Sequence, residues 1–212
     1  MPDYCIYGDH FIFRPHFNQP ISGGVFDKLT SLQGLTFGDA FNQPVGGVFD
    51  KLTQLQQLTF GYRFNQPISG GVFDKLTSLQ HLTFGYRFNQ PVGGVFDKLT
   101  ELQGLTLGYS FSQPLDIPSN IKVLKLDCNN IHITNNLPNG VEKLYLLCYF
   151  NLDLNDLPNS IKIISFEYNS RYDKELNNLP KSLEKIYLPK KYDKEIKNIS
   201  ETCQIIRQRN KN

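Results

Sequence analysis

Apolar positions return along most of this chain in a fixed triplet, Leu-x-x-Leu-x-Leu or a close variant, whose last two members are separated by one polar residue. Leu32, Leu35 and Phe37 make the first complete triplet, followed by Leu55, Leu58 and Phe60, then Leu79, Leu82 and Phe84, then Leu102, Leu105 and Leu107. A spacing of two is the periodicity of a strand, so Leu35 and Phe37 face inward and Thr36 outward. Phe11-Ile12-Phe13, 24 residues before Leu35-Thr36-Phe37, reads as the strand of a truncated first coil. Between the triplets Phe-Asn-Gln-Pro begins at Phe17, Phe41, Phe64 and Phe88, with a degenerate copy at Phe111, in steps of 24, 23, 24 and 23 residues. Such a period predicts a solenoid in which every coil adds one short strand to a parallel sheet and touches only its neighbours.

Beyond Pro114 the triplet persists while the period shortens. Ile121, Leu124 and Leu126 are followed by Val141, Leu144 and Leu146, by Ile161, Ile164 and Phe166, and by Leu183, Ile186 and Leu188, with first positions 20, 20 and 22 residues apart. Pro118, Pro138, Pro158 and Pro180 each stand three residues ahead of a triplet. The segment lost is Gly-Gly-Val-Phe-Asp-Lys-Leu-Thr, so the outer side of these coils is expected to be extended or polyproline-like. The chain is therefore divided as a single solenoid over 1–212, with one sheet running through both halves. Residues 1–10 are an N-terminal cap, 11–115 carry repeats of 23–24 residues, 116–196 carry degenerate repeats of 20–22, and 197–212 form a C-terminal edge strand and basic tail. In that last segment Gln208 occupies a core slot of half a triplet, and Arg207, Arg209 and Lys211 blunt the edge.

The triplet is the template of leucine-rich repeats, and Phe-Asn-Gln-Pro preceded by Leu-Thr-Phe-Gly resembles the FNIP repeat, a leucine-rich-repeat variant of social amoebae and of giant DNA viruses of amoebae. The resemblance covers roughly residues 11 to 190 and is strongest up to Pro114. It implies an α/β-type repeat solenoid, leucine-rich-repeat-like, with a parallel β-sheet on the concave face and irregular or short helical turns on the convex face. Gly-Val-Phe-Asp-Lys-Leu-Thr-x-Leu-x-x-Leu also resembles vertebrate-style leucine-rich repeats, including jawless-vertebrate antigen receptors. FNIP proteins usually carry Leu-Pro-x-x-Leu there, as the C-terminal half does. The family often couples its repeats to an F-box that recruits a ubiquitin ligase. No such segment precedes Phe11, so ubiquitin-ligase components are partners by family resemblance only.

Most repeated residues read as scaffold. Asn18, Asn42, Asn65 and Asn89, with Asn129 and Asn169 later, suit a ladder in which each side chain hydrogen-bonds the backbone of the next turn. Phe26, Phe49, Phe73 and Phe96 are expected to stack as an apolar spine along the convex interior. Gly-Gly pairs such as Gly46-Gly47 supply positive φ or close approach, and the Gly-Lys-Ser/Thr of a phosphate loop is absent. After the strand stand Asp39, Tyr62, Tyr86 and Tyr109, followed by Ala40, Arg63, Arg87 and Ser110. On strands ~4.8 Å apart the tyrosines form a stripe roughly 10 Å long. Tyr62, Arg63, Tyr86, Arg87 and Tyr109 are thus the candidate partner-binding residues of the concave face, being types enriched in interface hot spots. Rows of Thr36, Thr59, Thr83 and Thr106, and of Gln33, Gln56, Gln80 and Gln103, need no ligand. His81 falls between Gln57 and Gly104.

Composition narrows the function. A net charge of +2, with 7 Lys/Arg against 8 Asp/Glu in 1–115 and 15 against 12 in 116–212, gives no strong pull towards nucleic acid or membrane. Lys and Glu are interspersed in Tyr172-Asp173-Lys174-Glu175 and Tyr192-Asp193-Lys194-Glu195. No apolar run approaches the ~20 residues of a membrane span, and the N-terminus lacks a signal-peptide pattern, so a cytoplasmic protein, in a host cell if viral, is expected. Cys5, Cys128, Cys148 and Cys203 show no metal-ligand spacing. Cys128 and Cys148 hold equivalent positions in consecutive coils, ~5 Å apart, as a disulfide or as adjacent thiols. No catalytic set recurs, and no cofactor, metal or catalytic residue is assigned. The reading is a protein–protein interaction module with a protein partner of unknown identity and oligomeric state; the alternative is a structural or virion-associated repeat protein with no specific partner.

Overall fold

A computed structural model describes residues 3–22, 24–68 and 71–208. The chain forms two compact units, Met1–Gln113 and Pro114–Asn212, dividing two residues before the expected change of period. Both are built as parallel-strand β-solenoids with almost no helix.

In the first unit β1 (Tyr4–Tyr7) and β2 (His10–Phe13) form an antiparallel hairpin that pairs Tyr4 with Phe13. From β2 onward every step is parallel: β3 (Gly34–Thr36), β4 (Gln57–Thr59), β5 (His81–Thr83) and β6 (Gly104–Leu107). Leu35, Leu58, Leu82 and Leu105 lie directly across from one another, so equal repeat length becomes equal register. Among the described residues the return path holds no helix. Val48 N donates to Val45 O, Leu52 N to Phe49 O and Leu55 N to Leu52 O, a chain of single turns that satisfies the backbone while burying Val45, Phe49, Leu52 and Leu55.

Its core is two parallel files of phenylalanine. Strand-derived Phe13, Phe37, Phe60 and Phe84 stack at 5.3, 5.3 and 5.7 Å between centroids. The rings of the Phe-Asn-Gln-Pro segments, Phe17, Phe41, Phe64, Phe88 and Phe111, stack at 5.9, 6.1, 6.0 and 6.1 Å. The files are bonded sideways by Phe37–Phe41, Phe60–Phe64 and Phe84–Phe88, at 4.3, 4.0 and 4.0 Å. Phe26, Phe49, Phe73 and Phe96 are buried as a third element. Phe49 and Phe73 form a tilted pair at 5.8 Å, but Phe26 and Phe49 turn their edges to the strand file instead of stacking on it. Face-to-face stacking belongs to the two files, whose successive rings lie within 8° of parallel, whereas Phe49 and Phe73 are tilted by 44°.

The asparagines beside that file run as a ladder. Asn18 Oδ1 accepts from Asn42 N, Asn42 Oδ1 from Asn65 N, Asn65 Oδ1 from Asn89 N and Asn89 Oδ1 from Ser112 N, at 2.8–2.9 Å. Gln43, Gln66, Gln90 and Gln113 add an amide donor to the same Oδ1 atoms at 3.0–3.2 Å. Each rung of this unit thus uses both an Asn and a Gln.

The second unit pairs β7 (Val123–Leu126), β8 (Lys143–Leu146), β9 (Ile163–Phe166), β10 (Lys185–Leu188) and β11 (Gln204–Arg207) in parallel. One short helix, α1 (Ile131–Thr134), breaks the extended return expected there; buried Asn130 caps it by accepting from His132 N at 3.1 Å. The ladder here runs from Asn129 to Asn151 and Asp173: Asn151 N donates to Asn129 Oδ1 and Asp173 N to Asn151 Oδ1, at 2.6 and 3.1 Å. Asn169 is exposed and Asp173 holds the expected rung, because the backbone that follows the buried aromatic, Tyr172, is what faces the preceding coil. At the C-terminal edge Gln208 Nε2 donates to Phe166 O at 2.7 Å, which explains an amide in an apolar slot. Arg209 and Lys211 of the basic tail lie outside the described residues.

Candidate binding surface

The side chains singled out for binding stand in the turns that leave the strands. β4 ends at Thr59 and β5 at Thr83, and Phe64 N then donates to Gly61 O at 3.4 Å and Phe88 N to Gly85 O at 3.3 Å. Gly61-Tyr62-Arg63-Phe64 is therefore a β-turn whose central two residues, Tyr62 and Arg63, fall at its tip. Gly85-Tyr86-Arg87-Phe88 and Gly108-Tyr109-Ser110-Phe111 repeat it. The stripe expected on the sheet face is thus displaced to its edge, because the strand period stops one residue before the glycine. The face itself carries the Thr row, with His81 lying across Gly104: a Cβ there would come within 2.2 Å of His81 Nδ1.

Glycine sets the spacing of these turns. A Cβ at Gly61 would meet Gly38 O at 2.3 Å, one at Gly85 would meet Gly61 O at 2.0 Å, and one at Gly108 would meet Gly85 O at 2.3 Å. Successive turns approach backbone to backbone, tied by Arg63 N to Asp39 O, Arg87 N to Tyr62 O and Ser110 N to Tyr86 O at 2.9–3.0 Å. Within the Gly-Gly pairs it is the second member that needs positive φ, as at Gly47 (φ 71°) and Gly94 (φ 73°).

That spacing brings the three tyrosines together. Tyr62 and Tyr86 stack at 4.7 Å and 10° between planes, Tyr86 and Tyr109 at 4.9 Å and 16°. Tyr62 and Tyr109 remain 43% and 44% exposed, with Tyr86 half-buried between them. The Arg87 guanidinium carbon stands 5.7 Å from the Tyr62 ring centre, and Arg63 is exposed beside it. Asp39 completes the column, its Oδ1 3.4 Å from Tyr62 N. The arrangement is a flat aromatic strip with a cationic border.

In the second unit the corresponding turns carry a different chemistry. Asp127 Oδ1 accepts from Tyr149 N at 3.0 Å, yet burial holds its carboxyl above the usual range and Glu167 adds to the rise. Cys128 is buried, and burial pushes its thiol up to about 11. Cys148 is half-buried, raised by desolvation and by Glu167. All four cysteines are free thiols. Among the described residues no group of three or more His, Cys, Asp or Glu side chains is placed to hold a metal, and no helix is long and apolar enough to cross a membrane.

The FNIP Repeat family matches residues 111–149 and 151–191. No curated protein matches the chain. Among solved structures it is similar to CroV588, a circular leucine-rich-repeat protein of a giant virus, at 28% identity and a TM-score of 0.55, over 92% of this chain and 30% of that one. It is similar in fold to Drosophila Toll in the Toll–Spätzle complex (16% identity, TM-score 0.65, 93% of this chain and 29% of that one). The third is the internalin InlF of Listeria monocytogenes (15% identity, TM-score 0.59, 93% and 59%). The chain thus spans under a third of the first two and somewhat over half of the third. With its in-register parallel strands and these matches, the chain is a leucine-rich-repeat-like solenoid whose residues 111–149 and 151–191 match FNIP repeats.

Proposed function

We propose that this chain is a protein–protein interaction module, without catalytic activity, whose contact surface is Tyr62, Tyr86 and Tyr109 with Arg63 and Arg87. The observation that carries this reading is the stack of three tyrosines held on consecutive turns and left accessible. Nothing in the scaffold calls for tyrosine at turn tips, since the turn is closed by the backbone bond from Gly61 to Phe64 and the core is filled by the Phe64 file. Tyrosine and arginine are the types that dominate interface energetics, and rings already immobilised by stacking lose little entropy on binding. A solenoid of the same fold is seen in a protein complex, that of Toll with Spätzle. The arginine border favours an acidic partner surface. A viral protein acting on host factors is the setting we favour, on the likeness to CroV588.

Affinity capture from amoebal lysate with the wild type and with a Tyr62→Ala, Tyr86→Ala, Tyr109→Ala variant of matched stability tests the reading. A partner retained by the wild type and lost by the variant is expected. Equal recovery by both would remove the stripe from the proposal, and no specific recovery by either would favour a structural repeat protein.

A further inference from the structure

One coil of the second unit breaks the rule of its neighbours. From the last core residue of a strand to the aromatic that re-enters the core is four positions from Leu146 to Phe150 and from Leu188 to Tyr192; from Phe166 to Tyr172 it is six. Tyr172 nevertheless keeps its place in the file, 6.3 Å from Phe150 and 6.1 Å from Tyr192. The two added residues are therefore accommodated in the turn after β9, where Ser170 turns inward and Asn169 and Arg171 are exposed. Insertions in repeat coils collect on binding faces, since the scaffold gains nothing from them.

The bulge opens a cavity of about 260 Å³ lined by Tyr168, Asn169, Ser170, Arg171, Lys190 and Lys191. Three of the six are cations and none is an acid. Neither Arg171 nor Lys191 has a carboxylate within ion-pair distance among the described residues. The adjacent acid, Glu167, is engaged with the Cys148 thiol. Lys190 is steered to the cavity by its backbone bond to Tyr168 O at 3.0 Å, with its ammonium 5.6 Å from the Tyr168 ring. The floor is fixed: Ser170 is 3% exposed, its N–H donates to Glu167 O at 2.9 Å, and its Oγ accepts from Tyr172 N at 3.3 Å.

We propose that this cavity binds a phosphate monoester dianion, either free or carried on a peptide. A guanidinium fork at Arg171 with the Lys191 ammonium beside it matches a doubly charged tetrahedral oxyanion better than a single carboxylate. The site is independent of the tyrosine stripe, and each is tested with its own variants.

The test is calorimetric titration of the whole chain at low ionic strength, where surface electrostatics are least screened. The probes are inorganic phosphate, a phosphoserine peptide, its unphosphorylated form, and acetate. Phosphate binding is expected, weakened about tenfold or more in Arg171→Gln with Lys191→Gln. A Lys122→Gln, Lys162→Gln variant, which removes the same charge elsewhere, should retain it. Tighter binding of the phosphopeptide than of phosphate assigns a peptide-borne group; equal binding of the two assigns the free ion. Acetate binding as strong as phosphate, no heat above that of chloride, or unchanged affinity in the Arg171→Gln, Lys191→Gln variant would each overturn the proposal.

Discussion

Replacing Gly85 by alanine tests how closely the coils must approach. The new Cβ would lie 2.0 Å from Gly61 O and 2.5 Å from Gly61 C, both backbone atoms with no rotamer to yield. Relief needs the two turns to part by about 1 Å, an overpacking of the kind that typically costs 1–3 kcal/mol. That movement stretches Phe60 N to Thr83 O and Arg87 N to Tyr62 O, now 2.9 and 3.0 Å, beyond hydrogen-bond range, at about 1 kcal/mol each. Because the two costs overlap, a loss of about 2–4 kcal/mol is expected, or roughly 5–15 °C in Tm for a chain of this size. Gly93, with nothing within 4 Å of its added Cβ, is the control; alanine there should be neutral or stabilising by about 0.5 kcal/mol. Urea and thermal melts followed by circular dichroism and tyrosine fluorescence measure both, since the chain has eleven tyrosines and no tryptophan. If the two variants unfolded at the same urea concentration, the coils would not be in backbone contact at this turn.

Phe64→Ala removes a ring buried to 0% from the middle of the second file and should cost about 3–5 kcal/mol by chemical denaturation. The same change at half-exposed Phe17 should cost clearly less, and equal losses would mean that the file is not the core. Asn65→Leu leaves the Asn89 N–H without its acceptor and the Gln90 amide with only the Asn65 backbone carbonyl, at about 1–3 kcal/mol. Asn65→Asp keeps an acceptor and should lose less; the reverse order would dismiss the ladder. Burial raises the Cys128 thiol from 9.0 to about 11, so above pH 9 the unfolded chain ionises first. This contribution is then complete below pH 9 and declines up to about pH 11, by about 2–3 kcal/mol. Cys128→Ala should flatten that part of the stability–pH curve, and an unchanged slope would place the thiol in water.

The period, the strand positions and the in-register parallel pairing were legible in the residues alone, because a repeat of nearly constant length brings Leu35, Leu58, Leu82 and Leu105 to equivalent places. Asn18, Asn42, Asn65 and Asn89 were legible as ladder residues for the same reason, since a polar residue recurring once per coil must meet its own copy. What the residues did not reveal was direction. Phe41 and Phe64 stack face to face whereas Phe49 and Phe73 are tilted, Asp173 takes the rung sought at Asn169, and the tyrosines leave the sheet face for the turn tips. Each of these depends on where the backbone bends, which is set by contacts between coils: Gly61 against Gly38 O, Phe64 N on Gly61 O. A pattern in one dimension specifies which residues recur together, whereas the side to which each points is decided only when neighbouring turns pack at van der Waals distance. The cationic cavity after β9 is the extreme case, since two added residues say nothing about chemistry until Tyr172 is seen to keep its place, with Arg171 exposed beside Lys190 and Lys191.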